Sequence, residues 1–137
     1  MYRLSGKVVY MDTKKILIIE DDPHLSQLMR GHLEAIGFAV EVAMDGEQGI
    51  EALEHAPDLI LLDIMLPKMD GLTILKMIRE KGDWGAKVPI IIVSNLNPDT
   101  DEILKSTAMY TPAYYLVKAE LSLQEMTDKV RGALSLA

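Results

Sequence analysis

The chain has 137 residues, 49% of them apolar, which suits one domain around one hydrophobic core and argues against disorder. Its net charge of -7 argues against direct nucleic-acid binding, which rests on clustered Lys and Arg, and the absence of cysteine excludes disulfides, thiolate zinc sites and thiol nucleophiles. The longest apolar runs have strand length, and Met1-Tyr2-Arg3-Leu4-Ser5-Gly6-Lys7 lacks the apolar core of a signal peptide, so no membrane association and a cytoplasmic location are expected.

Residues 1–14 precede any repeating pattern and are expected to be a loosely attached extension, with a possible edge strand at Lys7–Tyr10. Met11-Asp12-Thr13-Lys14-Lys15 reads as a start immediately before the first strand, Lys15–Glu20. Asp22 caps a helix with Pro23 at its first position, where a missing N–H costs nothing. Leu25, Leu28, Met29, Leu33 and Ile36 give that helix one buried stripe, and Gly37 ends it. A second strand, Ala39–Ala43, leads to Asp45 and Gln48, which read as a capping box for a helix over Gly46–Glu54. Pro57 breaks the chain before the third strand, Asp58–Asp63. The loop Leu66-Pro67-Lys68-Met69-Asp70-Gly71 opens a third helix, with Leu72, Leu75 and Ile78 apolar and Gly82 as its stop. Asp83–Lys87 reads as a loop and Val88–Ser94 as the fourth strand. Asn97-Pro98 starts a fourth helix that runs to about Met109, and Ala113–Lys118 is the fifth strand. Ser122 and Glu125 open the last helix, with Leu123, Met126, Val130 and Leu134 on one face.

Five strands alternating with five helices predict an α/β fold with a doubly wound parallel sheet spanning residues 15–137. No second domain is expected. In such a sheet the carboxyl ends of the strands share one edge, and ligands bind there. Four apolar runs end in chemically useful groups: Ile16–Ile19 in Glu20-Asp21-Asp22, Leu59–Leu62 in Asp63, Ile90–Val93 in Ser94, and Tyr115–Val117 in Lys118. Alone, each has a bland reading as a turn or surface residue, and Asp22 is best read as a cap. Together they form a pocket for a divalent cation and a phosphoryl group. Magnesium prefers oxygen ligands and retains several waters. Asp21 and Asp63 are the candidate direct ligands, with Glu20 as the outer carboxylate. Asp63 suits a nucleophile that forms an acyl phosphate. Lys118 supplies neutralising charge, and the Ser94 hydroxyl a hydrogen bond to the bound group.

These segments resemble the receiver domain of bacterial two-component response regulators. The resemblance rests on Ile18-Ile19-Glu20-Asp21-Asp22, Leu61 through Gly71, Ile91-Ile92-Val93-Ser94 and Tyr115-Leu116-Val117-Lys118, and covers the chain from about residue 14 onward. It implies a flavodoxin-like strand order, 2-1-3-4-5. It implies that Asp63 accepts a phosphoryl group from a phosphohistidine of a histidine kinase or phosphotransfer protein, with Mg2+ held by Glu20, Asp21, Asp63 and the Met65 backbone carbonyl. It further implies that Ser94 and Lys118 contact the phosphoryl group and that Ser94 and Tyr115 act as a switch. A downstream protein would dock on the face formed by the fourth helix, fifth strand and fifth helix. A stand-alone signalling module without an output domain is expected.

The chain departs from the family's pattern in three places. Ala119 replaces the proline that usually follows the lysine, which predicts a trans Lys118-Ala119 bond and a reshaped loop before Leu121. Asn95 replaces a small residue, so it either narrows access to Asp63 or hydrogen-bonds in the pocket. Thr111-Pro112 replaces Gly-Ala; threonine takes a left-handed conformation poorly, which predicts a helix end without a glycine cap. Tyr110, Tyr114 and Tyr115 suggest an aromatic-rich output face. Two other functions compete. A magnesium-dependent aspartyl-phosphate phosphohydrolase usually needs a second Asp two residues after the nucleophile, and here that position is Met65. A degenerate receiver acting only as a scaffold would not need all five key groups.

Overall fold

The computed structural model describes residues 2–4, 7–9 and 13–136. β1 (Tyr2–Leu4) and β2 (Lys7–Val9) pair antiparallel as their own two-stranded sheet, apart from the main one. Of the expected strand Lys7–Tyr10, Tyr10 lies outside the described residues. The main sheet holds β3 (Lys15–Ile19), β4 (Ala39–Ala43), β5 (Leu59–Leu62), β6 (Ile90–Ser94) and β7 (Tyr114–Val117). All are parallel, in the order β4-β3-β5-β6-β7, which is the expected 2-1-3-4-5 arrangement. β3, β5 and β6 lie inside the sheet and are buried on both faces beyond Lys15, which is why they read as continuous apolar runs.

Strand alternation divides the core in two. Leu17, Ile19, Ile60, Leu62, Ile90 and Ile92 point to the face covered by α2 (Gly46–Ala52), α3 (Gly71–Arg79), α4 (Gly82–Lys87) and α5 (Asp101–Tyr110). Ile16, Ile18, Leu59, Leu61, Ile91 and Val93 point to the face covered by α1 (Pro23–Ala35) and α6 (Leu123–Ala133). The two faces together make a three-layer α/β sandwich.

Local chemistry explains most boundaries. The Asp22 carboxylate accepts from the His24 and Leu25 N–H groups, with Pro23 at the first helical position. Gly37 adopts φ 105°, and its N–H donates to the Glu34 carbonyl. Asp45 accepts from Gln48 N–H, while Gln48 Oε1 accepts from Met44 N–H. α2 ends earlier than expected, its last turn tightening to a 3₁₀ turn over Leu53–His55. Ser122 caps α6 by accepting from Glu125 N–H.

Several expectations need correction. A sixth helix, α4, occupies the segment expected as a loop. α3 ends at Arg79 with Glu80 as its C-cap, ahead of the expected stop; Gly82, at φ 69°, instead opens a short helix packed on α3. There Gly85 lies so close to the Ile78 carbonyl that a Cβ would collide with it. The Trp84 indole donates to the Pro57 carbonyl at 3.2 Å and packs on the core, tying α4 to the start of β5. α5 begins at Asp101 rather than at Asn97-Pro98, because Asn97 Oδ1 accepts the Asp99 N–H and makes a turn of its own. The buried stripe of α1 is Ser26, Met29 and Leu33; Leu28 and Ile36 face outward.

Thr111 ends α5 in the left-handed region at φ 41°, contrary to the reluctance expected of threonine. Its N–H donates to the Thr107 carbonyl, and its own carbonyl accepts from Arg79 Nη2. Arg79 also donates to the carbonyls of Tyr110, Gly85 and Val88, at 2.6, 3.0 and 2.6 Å. One guanidinium thus compensates the strained turn and joins α3, α4 and α5. The three tyrosines do not form an exposed aromatic patch. Tyr110 and Tyr115 pack against one core and Tyr114 against the other, with the Lys129 ammonium over the Tyr114 ring. No helix among the described residues is long and apolar enough to cross a membrane.

Candidate functional site

The register brings the strand ends together. Ile19 pairs with Leu62, and the Asp63 N–H donates to the Ile19 carbonyl, so Glu20 and Asp63 emerge side by side. Ser94 pairs with Val117, which puts Lys118 just past the end of β6. Glu20, Asp63 and Ser94 are 1%, 3% and 0% exposed, whereas Asp21 faces solvent.

Lys118 crosses this edge. Its Nζ donates to Asp63 Oδ2 at 2.8 Å and lies 2.6 Å from Glu20 Oε1. Asp63 Oδ1 accepts from the Met65 N–H at 3.1 Å, and Glu20 Oε2 from the Asp22 N–H at 3.1 Å. Met65 therefore reaches the site through its backbone, while its side chain is exposed. The Asp63 loop is braced from behind: Gly71 N–H donates to the Ile64 carbonyl at 2.7 Å, and a Cβ on Gly71 would overlap the Asp63 carbonyl and Ile64 Cα. Only glycine allows that approach, and Asp70 then caps α3 by accepting from Thr73 N–H.

Ser94 Oγ accepts from the Leu96 N–H at 3.3 Å. The Tyr115 hydroxyl donates to the Leu96 carbonyl at 2.8 Å, so Tyr115 leans over the β6 end. Burial raises the Tyr115 pKa, with a hydrogen bond to Ser94 opposing and the Asp63 charge adding to the rise. Asn95 Oδ1 accepts from the Ala119 N–H at 2.9 Å, so it bonds at the pocket rim rather than inside. The Lys118-Ala119 bond is trans, as no cis bond occurs among the described residues, and Lys118–Glu120 forms a single 3₁₀ turn before Leu121.

The carboxylates of Glu20, Asp21 and Asp63 each offer an oxygen, and these lie within 4.8 Å of one another. Three acids face one lysine, leaving two negative charges uncompensated when all are ionised. Burial pushes the Glu20 carboxyl up to about 7, although the Lys118 and Asp22 hydrogen bonds pull it down. Burial works to lower Lys118, but its bonds to Asp63 and Glu20 outweigh that and raise it. Glu20 Oε1 is buried and meets the Lys118 ammonium at 2.6 Å, so this one cation is shared between two carboxylates. Three carboxylate oxygens within 4.8 Å of one another, opposed by a single lysine and with one of the carboxyls pushed by burial toward its neutral form, fit a divalent cation bound through oxygen.

The sequence profile of the response regulator receiver domain matches residues 16–131. The chain belongs to this family. Receiver domains are signalling modules of two-component systems, and this receiver has similar relatives among bacterial regulators. It is 34% identical over 122 residues to the uncharacterized transcriptional regulatory protein YcbL of Bacillus subtilis, covering 88% of this chain and 51% of that protein. It is 39% identical over 90 residues to the transcriptional regulatory protein CpxR of Escherichia coli, covering 66% of this chain and 37% of CpxR. The receiver thus spans about half or less of the length of these relatives. Among solved structures, the BeF3-activated N-terminal receiver domain of Klebsiella pneumoniae RstA is 30% identical with a TM-score of 0.76, covering 88% of this chain and 98% of that one. A CheY-like receiver from Methanospirillum hungatei matches the fold at a TM-score of 0.82 and 24% identity, over 90% of this chain and 95% of that one.

The site residues proposed from sequence all sit at this one edge. Arg79, the Asn95–Ala119 bond and the close approach of Gly71 were not foreseen. The Asp70 cap had a readable signal in the Asp70-to-Thr73 spacing; the Asn95–Ala119 bond spans 24 positions and the Arg79–Thr111 bond 32.

Proposed function

We propose that this receiver is a phosphoacceptor whose reacting residue is Asp63. A carboxylate oxygen of Asp63 attacks the phosphorus of a phosphohistidine on a histidine kinase or phosphotransfer protein. An O–P bond forms, the N–P bond breaks, and the leaving imidazole takes up a proton. The observation that carries this reading is the buried Asp63 carboxylate held 2.8 Å from Lys118 Nζ within an acidic cluster. Glu20, Asp21, Asp63 and the Met65 carbonyl would hold Mg2+, which when bound neutralises charge on the phosphoryl oxygens. Lys118 neutralises from the other side, and Ser94 offers its hydroxyl to the bound group. Tyr115, already bonded to the Leu96 carbonyl, reports the position of the Ser94 loop to the face of α5, β7 and α6. Leu104 and Met109 on α5 are exposed there and suit a protein partner. An open groove lined by Asp21, Met65, Leu96 and Thr100 gives a donor access beside Asp63.

Acetyl phosphate with Mg2+ tests the assignment. The expected result is a mass gain of one phosphoryl group, lost in Asp63→Asn and on chelation of the metal. Sustained turnover of phosphate esters would instead mean a hydrolase. No adduct with any donor, together with no Mg2+ binding, would mean a scaffold.

A further inference from the structure

Asn95 and Ala119 are two of the chain's three departures from the family's pattern, and the structure joins them in one hydrogen bond of 2.9 Å. We propose that this bond is a clasp that positions Lys118, making Asn95 a positioning residue for phosphoryl binding. The inference rests on the phosphoacceptor reading of Asp63.

The last backbone pairing between β6 and β7 is Ser94 with Val117. Beyond it the strands separate. The β6 end runs toward the turn held by Asn97, and the β7 end enters the 3₁₀ turn Lys118–Glu120. Lys118 stands at the first unpaired position, yet its side chain must pass the end of β6 to reach Asp63 at the end of β5. A lysine arm is long and rich in rotamers, so its aim depends on how firmly its own backbone is held. Asn95 Oδ1 takes the place of a strand carbonyl and accepts the N–H of the residue immediately after Lys118. The sheet is thereby extended by one rung made from a side chain. The clasp residues are the direct chain neighbours of Ser94 and Lys118, the two groups proposed to touch the phosphoryl group.

The bond requires an N–H at position 119. A proline there has none, so the alanine and the asparagine form one device. Both residues are exposed, and neither contributes to either core. Removing the Asn95 amide leaves no cavity, so Asn95→Ala is expected to fold.

Two affinities measured on the whole chain separate a clasp from general loosening: Mg2+ alone, and beryllofluoride, a phosphoryl mimic, at saturating Mg2+. In Asn95→Ala, beryllofluoride affinity should fall about two- to tenfold, the range for one lost hydrogen bond, while Mg2+ affinity stays unchanged. In a Lys118→Ala background the same substitution should have no further effect, because Asn95 acts through Lys118. Exchange protection of the Ala119 amide should drop in Asn95→Ala. Unchanged beryllofluoride affinity would overturn the proposal. So would parallel loss of both affinities, or faster acceptance from acetyl phosphate at unchanged beryllofluoride affinity, which would make Asn95 a gate. If the wild-type chain itself binds no beryllofluoride, the phosphoacceptor reading fails, and Ala119 exchange still judges the clasp.

Discussion

Glu20 carries the sharpest conflict of any single residue. It is almost fully buried, and burial lifts its carboxyl from the ordinary 4.5 to about 7 despite donors from Lys118 and Asp22. The folded chain therefore holds this proton more tightly than the unfolded chain. The stability contribution of Glu20 is fully present below pH 4.5 and is lost as pH rises toward 7. The metal-free protein should show a thermal midpoint that declines across that window, and Glu20→Gln should flatten the decline. An equal slope in wild type and variant would show that Glu20 is not its source. Lys118 is raised as well, but by its bonds to Asp63 and Glu20 against the pull of burial, so it stays charged throughout.

Arg79 dominates at the scale of elements. Its guanidinium supplies donors to four carbonyls, at Tyr110, Thr111, Gly85 and Val88, and these belong to the ends of α4 and α5 and the approaches to β6 and β7. Arg79→Ala should lower the unfolding free energy by about 2–3 kcal/mol, since several half-buried carbonyls lose their donors together. Arg79→Lys should recover less than half, because one ammonium cannot reproduce the planar fork. Urea unfolding measures both. This residue also marks where sequence reading stopped. Caps at Asp22, Asp45 and Ser122 and the buried strands β3, β5 and β6 were legible, because each depends on neighbours within a few positions. Helix α4 was not, since six residues are too few for periodicity. The left-handed Thr111 was read as improbable because the guanidinium that satisfies its carbonyl comes from 32 positions away.

At the scale of the whole molecule, parallel topology collects charge. Right-handed crossovers leave every strand of the main sheet ending at the same edge, so Glu20, Asp21, Asp63 and Lys118 meet there although nearly 100 positions separate the first and last. That much was readable from four apolar runs and the residues that end them. What could not be read was the rim, because the Asn95–Ala119 contact depends on where β6 and β7 part. The proposed Mg2+ site ties the stability of the fold to divalent cations, because it draws its carboxylates from two different strand ends. Mg2+ at one hundred times its dissociation constant should raise the unfolding free energy by about 2.7 kcal/mol. Thermal denaturation with and without Mg2+ tests this, and Asp21→Asn should shrink the increment, since it removes an exposed carboxylate of the proposed site without emptying the core.

Trp84 has an optical consequence. It is the chain's single tryptophan, and it sits against Pro57, at the opposite end of β5 from Asp63. Six residues of extended chain put about 20 Å between the indole and the Asp63 carboxylate. Its fluorescence will follow melting of α4 and the core beneath it, and will be nearly blind to events at Asp63. The aromatic ring at the other edge is a phenol, Tyr115, bonded to the Leu96 carbonyl. Watching this protein work by light therefore calls for tyrosine emission or a dye placed near Leu96.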